Sequence, residues 1–281
     1  MTPRPVEIAE LIERYDGILL DAYGVLVDAR GILPGAAELL AELDRRGRVW
    51  AIVSNDASRS QATYAKRFAG YGATVPEARV VTSGSLLPPY FRANGLSGAR
   101  TFVLGTEDSE AYVVEGGGVP VAATGEPIDA LAVCDDSGFD FLPGVERAFN
   151  AVVRAVEAGR MPALILPNPD LVYPKGDGEL GFTSGTIGLM IEAALARRFP
   201  AKRFAFARLG KPEPHLFLEA ARRLAIAPDR LVMVGDQLET DIAGARAAGL
   251  HSALLAGVSR WEHAHETSSV VPDYLLATLA P

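Results

Sequence analysis

The sequence predicts an α/β fold in which a parallel sheet is interrupted by a second α/β module. Short buried apolar runs recur at Gly17–Leu20, Val49–Val53, Val80–Val81 and Leu231–Val234, separated by segments with helical periodicity. Strand–helix–strand repetition of this kind argues right-handed crossovers and a parallel sheet. Between residues 85 and 182 the texture changes to shorter apolar runs set apart by Gly116-Gly117-Gly118 and several prolines. The predicted organisation is a sheet domain made of residues 1–84 and 183–281, with residues 85–182 inserted into it.

Each element has its own local reason. Val6, Ile8, Leu11, Ile12 and Tyr15 give a short amphipathic N-terminal helix. The Gly17–Leu20 strand follows and ends on Asp21, with Gly24 to turn the backbone. A polar turn is expected over Asp28–Gly31, and Pro34-Gly35 opens a helix that runs through Leu43 and stops at Gly47. Val49–Val53 closes on Ser54-Asn55-Asp56, and the next helix starts near Ser58 and reaches Phe68. Val80-Val81 leads into Thr82-Ser83-Gly84. The inserted module carries strands at Thr101–Leu104, Ala130–Val133 and Ala163–Leu166. Thr183-Ser184-Gly185-Thr186 opens a helix to Phe199, and Arg203–Leu209 reads as a strand before Gly210-Lys211-Pro212. Pro214 starts a helix to Leu224; Leu231–Val234 ends in Gly235-Asp236; a small-residue helix ends at Gly249; His251–Leu255 is the next strand, and the tail carries Tyr274-Leu275-Leu276.

Composition bounds the functional classes. The chain has 281 residues, is 49% hydrophobic and carries a formal net charge of −8 with no Lys/Arg-rich run. That suits one large or two modest domains and argues against nucleic acid or an anionic membrane as a partner. One cysteine, Cys134, allows no internal disulfide, so a reducing cytoplasm is the expected compartment. No segment reaches the roughly 18 apolar residues of a membrane span, and the N-terminal stretch has no signal-peptide core.

The informative pattern lies at the strand ends. Asp21, Ser54-Asn55, Lys211 before a helix, and Asp236 with Asp241 all fall where the strands of a parallel sheet deliver their residues to one edge. Each has a bland reading. Asp21 can be a turn residue, Ser54 and Asn55 helix caps, Lys211 a solvated loop lysine, and Asp241 an acid favoured by a helix dipole. Together they describe three carboxylates, one ammonium and small hydrogen-bond donors. Three such carboxylates repel one another unless a cation joins them, and oxygen ligands suit Mg²⁺. Lysine, hydroxyl and amide donors with a metal neutralise and orient a phosphoryl group, which Asp21 can attack to form an aspartyl phosphate. Asn168-Pro169-Asp170, after the Ala163–Leu166 strand, reads equally as a proline turn or as a substrate contact.

Four segments in this order resemble the four motifs of the haloacid dehalogenase (HAD) superfamily: the strand ending in Asp21, the strand ending in Ser54-Asn55, Gly210-Lys211-Pro212, and Gly235-Asp236-x4-Asp241. The insertion between the second and third resembles the cap of the class IIA phosphatases, which include the pyridoxal phosphatase and para-nitrophenyl phosphatase types. Ser54 to Ser60, Thr82-Ser83 and Asn168-Pro169-Asp170 also look like local patterns of that branch. The resemblance implies a Rossmann-like core with an inserted α/β cap. It implies Asp21 as nucleophile and Mg²⁺ ligand, with the backbone carbonyl of Tyr23 and Asp236 as further ligands. Asp241 would support the metal or Lys211, and Lys211 would offset charge on Asp21 and the phosphate. Ser54 and Asn55 would hold phosphoryl oxygens, with Asp56, Asn168 and Asp170 counted among the substrate-binding positions. A small phosphorylated metabolite is the implied substrate, and self-association through the cap is implied as well.

One departure matters. The family's phosphatases place a second aspartate two residues after the nucleophile; here that position is Tyr23. A phenol with a reference pKa near 10 can donate a proton at neutral pH but is a poor base. Asp21-Ala22-Tyr23-Gly24 looks instead like the nucleophile segment of the haloacid dehalogenases, which need no leaving-group proton and no magnesium. Those enzymes lack the acid pair Asp236 and Asp241. A magnesium-dependent phosphatase with an atypical acid step is therefore the chosen reading; a dehalogenase and a non-catalytic phosphate-ligand binder are the alternatives. Asp136 or Asp170 can be imagined as a substitute acid. His263 and His265 read as solvated loop residues and Cys134 as packing.

Overall fold

The computed structural model describes residues 2–122, 125–176, 179–256 and 269–281. In chain order the elements begin β1 (Arg4–Val6), α1 (Ile8–Arg14), β2 (Gly17–Leu20), β3 (Val27–Asp28), β4 (Gly31–Ile32), α2 (Ala36–Arg45), β5 (Val49–Ser54), α3 (Gln61–Gly70) and β6 (Val80–Thr82). They continue with α4 (Leu87–Ala93), β7 (Arg100–Leu104), α5 (Glu107–Glu115), β8 (Val119–Pro120), β9 (Ala130–Val133), α6 (Phe141–Glu157), β10 (Ala163–Leu166), β11 (Val172–Gly176), β12 (Glu179–Phe182), α7 (Ser184–Arg198) and β13 (Ala207–Arg208). The last are α8 (His215–Leu224), β14 (Leu231–Gly235), α9 (Ala243–Ala247), β15 (His251–Leu255) and β16 (Tyr274–Leu276).

Two compact units result. The first comprises Met1–Ser54, Gln61–Val81 and Lys211–Pro281; the second comprises Asn55–Ser60 and Thr82–Gly210. The first is organised on a seven-stranded sheet of order β1-β16-β15-β14-β2-β5-β6. Its central strands are buried on both faces, which is why they read as unbroken apolar runs. Ile18 and Leu20, Trp50 and Ile52, and Val232 and Val234 join Leu11 of α1 and Leu39 and Leu43 of α2 in one core. Leu19, Ala51 and Met233, one residue out of phase, are equally buried on the other face. The second unit has its own five-stranded sheet, order β13-β10-β9-β7-β8, parallel in every described pairing. Leu131, Val133, Leu166, Val145 and Val152 pack there with Ile187, Ile191 and Leu195 of α7. No helix among the described residues is long and apolar enough to cross a membrane.

The expected α/β architecture with an inserted α/β module is present, with several local differences. The return to the first module, expected at residue 183, comes at Lys211: α7 buries its apolar face in the second core, and β13 pairs with β10. The strand expected over Arg203–Leu209 is only Ala207–Arg208. β1 went unread because three residues at a sheet edge carry no periodicity; it pairs with β16. The Asp28–Gly31 turn sits inside a small antiparallel hairpin of β3 and β4. The helix expected from Ser58 starts at Gln61, because Ser58 is held in a turn by Asp56, whose Oδ1 accepts from the Ser58 N–H and hydroxyl, each at 2.8 Å.

Ile191 is 1% exposed in the second core. Ile191→Ala should cost about 2–5 kcal/mol there. Hydrogen exchange should report the loss as faster exchange in β9 and β10, with β2 and β14 unchanged.

Candidate active site

In the first unit the chemistry starts from register. Leu20 pairs with Val234 on one side and with Ile52 on the other. The ladder runs one residue further, since the Asp21 N–H donates to the Val234 carbonyl at 2.9 Å. Asp21 therefore leaves the sheet between the ends of β14 and β5. Lys211 Nζ meets it there, donating to Asp21 Oδ1 at 2.6 Å, to Asp241 Oδ1 at 2.7 Å and to the Val53 carbonyl at 3.4 Å. Lys211 is 3% exposed, and its peptide to Pro212 is cis.

The acid pair is built by the turn after β14. Residues Leu238–Ile242 form a π-helical turn in which the Ile242 N–H reaches the Gln237 carbonyl at 3.2 Å. This folds Asp241 back over the strand end. Its Oδ2 accepts from the backbone N–H groups of Asp236 and Gln237 at 3.1 and 3.2 Å. A Cβ at Gly235 would lie 2.2 Å from the Asp241 Cβ, so only glycine permits the fold-back. Gly24 does the same for Asp236. Its φ is +91°, and a Cβ there would lie 2.3 Å from Asp236 Oδ2.

Carboxylate oxygens of Asp21, Asp236 and Asp241 lie within 4.8 Å of one another, all buried. Lys211 engages two of these carboxylates and leaves a negative excess. Burial pushes Asp21 up to about 7, assisted by the Asp241 charge and opposed by Lys211. Burial, then Asp241 and Asp21, push Asp236 well above the usual carboxylate range. Burial acts to lower Lys211, but the two carboxylates outweigh it and hold the ammonium protonated. The excess falls on Asp236, whose Oδ1 is buried without a hydrogen-bond partner. A buried carboxylate oxygen left over among three acids fits a hard, oxygen-liganded cation such as Mg²⁺.

Tyr23 is half-buried. Burial, then Asp28, push its phenol above the ordinary value, against a bond from the Ala29 backbone N–H. The hydroxyl is thus engaged with the turn between β3 and β4. Ser54 is buried at the end of β5. In the second unit, Asn55 Nδ2 donates to Asp170 Oδ1 at 3.0 Å. Asn168 Oδ1 accepts from the Asp170 N–H at 3.0 Å, and its amide donates to Thr183 Oγ1 at 3.4 Å. Both Asp56 oxygens bond within its own turn, Oδ2 to Arg59 Nη1 at 2.7 Å. Asp136 is pushed up to about 6 by burial and by a bond to Asp135. Cys134 is buried packing, its thiol pushed up by burial. His263 and His265 lie outside the described residues. Sequence reasoning missed the steric duty of Gly235, although a glycine just before an acid at a strand end was a signal for it. Nothing in the sequence marked the Asn55–Asp170 bond, which spans 115 residues.

Two outcomes follow from this geometry. Gly24→Ala displaces Asp236 and should weaken divalent-cation binding at least tenfold by calorimetry. Lys211→Met strands two buried carboxylates; chelator-treated protein should lose about 3–5 kcal/mol in urea unfolding, part of which a divalent cation restores.

Comparison with known proteins completes the assignment. A sequence model described as haloacid dehalogenase-like hydrolase matches residues 18–118, and a second, HAD-hydrolase-like, matches residues 208–281. Human chronophin is 31% identical over 294 residues, covering 99% of this chain and 95% of chronophin. A possible sugar phosphatase of the HAD superfamily from Cytophaga hutchinsonii has a TM-score of 0.85 at 28% identity, covering 99% of each chain. The glycerol phosphate phosphatase of Mycobacterium tuberculosis in complex with magnesium has a TM-score of 0.77 at 27% identity, covering 96% of this chain and 76% of that one. With the strand-end acids, the shared lysine and the inserted α/β unit in place, the chain belongs to the haloacid dehalogenase-like hydrolases, in their class IIA phosphatase branch.

Proposed function

We propose that the protein is a Mg²⁺-dependent phosphatase of small phosphorylated metabolites that works through an aspartyl phosphate on Asp21. The observation that carries this reading is the Asp21–Lys211–Asp241 ion triad beside the orphaned Asp236 oxygen. Asp21 Oδ1 is tied to the ammonium, which leaves its other oxygen to attack phosphorus in line with the departing group. The P–O bond to the substrate breaks as the Asp21–phosphorus bond forms. Water then attacks the phosphoryl group, releasing inorganic phosphate and restoring the carboxylate. Lys211 offsets charge on the attacking carboxylate and the phosphoryl oxygens, while Ser54 and Asn55 are assigned as donors to those oxygens. Asp21, Asp236 and the backbone at position 23 would hold the cation, with Asp241 anchoring the lysine. The cation would supply charge neutralisation on the phosphoryl group.

The atypical step is proton transfer. A phenol pushed above its ordinary value is a weak acid for a leaving alkoxide and a worse base for water. Leaving groups that need no proton, such as phenolates and acyl groups, are therefore the favoured substrates.

A panel of aryl and alkyl phosphates tests this. Turnover should fall steeply as leaving-group pKa rises, vanish in EDTA and vanish in Asp21→Asn. Tyr23→Asp should raise turnover of alkyl phosphates by about 10²-fold and flatten the dependence. Halide release from 2-haloacids in EDTA, without phosphatase activity, would replace the reading with a dehalogenase.

A further inference from the structure

We infer that the second sheet serves as a mount for the segment that follows Ser54, and that Thr106, Asp108, Ser109 and Tyr112 are positioning residues for the phosphate-binding motif. This rests on the phosphatase reading.

The sheet order β13-β10-β9-β7-β8 is the first clue. From β7 the chain steps outward to β8, then crosses back to β9 and continues away through β10 and β13. The direction of winding reverses between β7 and β9. In an open parallel sheet the crevice outside the carboxyl ends of two such strands is where a ligand binds. Here the polar groups beyond β7 grip the protein's own chain.

The grip is almost complete. Ser109 Oγ donates to the Ala57 carbonyl at 2.8 Å, Thr106 Oγ1 to the Ser58 carbonyl at 2.6 Å, and Tyr112 OH to the Arg59 carbonyl at 2.9 Å. The Gly84 N–H takes the Asp56 carbonyl at 3.2 Å. Four successive carbonyls are thereby occupied. The Ser60 N–H completes the run by donating to Asp108 Oδ2 at 2.8 Å. Asn55, at the head of the segment, is tied to Asp170 beyond β10. A connecting loop ordinarily satisfies such groups with water at the surface. Three side chains and one backbone N–H that take these carbonyls in turn hold the backbone in one position. Displacing a substrate-positioning group by about 1 Å can cost up to 10²-fold in rate, so the loop that begins with Asn55 is where such a fixture has value.

The test uses full-length protein with p-nitrophenyl phosphate as substrate and inorganic phosphate as competitive inhibitor. Asp108→Ala should raise KM and the phosphate inhibition constant about tenfold. Its thermal midpoint should stay near wild type, and its Mg²⁺ affinity by calorimetry should not change. Asp108→Asn keeps an oxygen for the Ser60 N–H and should restore most of the loss. Tyr112→Phe removes one hydroxyl without opening a cavity and should shift both constants in the same direction. Unchanged constants in both Asp108→Ala and Tyr112→Phe, or a fall in thermal midpoint alone, would overturn the inference while leaving the phosphatase reading intact. A wild-type protein that neither hydrolyses p-nitrophenyl phosphate nor binds inorganic phosphate would overturn both.

Discussion

One ammonium group holds the first unit's chemistry together. Lys211 bridges Asp21, 190 residues away in sequence, and Asp241, 30 residues away, with all three side chains withdrawn from water. Each carboxylate alone would be expensive to bury, and the two would repel. A compact ammonium with three hydrogens suits the place better than a guanidinium, whose planar fork cannot point at three converging acceptors. The register of β2 against β5 and β14 sets where those acceptors converge, so the sheet and the ion triad define each other.

Electrostatics and proton transfer are unequally provided for. Charge compensation is built in detail: two backbone amides and a lysine hold Asp241, a glycine admits Asp236, and one buried oxygen remains to receive a cation. In the proposed reaction proton transfer would rest on Tyr23, whose hydroxyl is already engaged by the hairpin turn. On the proposed reading such a site would stabilise a transferring phosphoryl group better than it would serve a poor leaving group.

The sequence was legible where burial is continuous. Gly17–Leu20, Val49–Val53 and Leu231–Val234 have both faces covered, so their runs are unbroken and the acid or hydroxyl that ends each one stands out. It was illegible where an element is short or its partner distant. β1, β3 and β4 span two or three residues each, too few for any period to show. The assignment of α7 to the second core depends on which apolar stripe it meets, and a stripe does not name its partner. The fixture around Ala57–Ser60 is of the same kind, since its side chains come from 48 to 53 residues further on. Ser58 misled by looking like a helix cap, when the carboxylate two residues before it had already claimed its N–H.

The strand order also sets a schedule. β2 leads into Asp21, the nucleophile of the proposed reaction, yet one of its two neighbours, β14, begins at Leu231. A chain made from its N-terminus therefore completes every strand of the second sheet, residues 100–208, before β2 has both partners. Until Lys211, Asp236 and Asp241 have been added, Asp21 is an ordinary carboxylate beside β5. The cluster of three acids is an end-product of synthesis, and a chain truncated before Leu231 carries Asp21 with no acid pair.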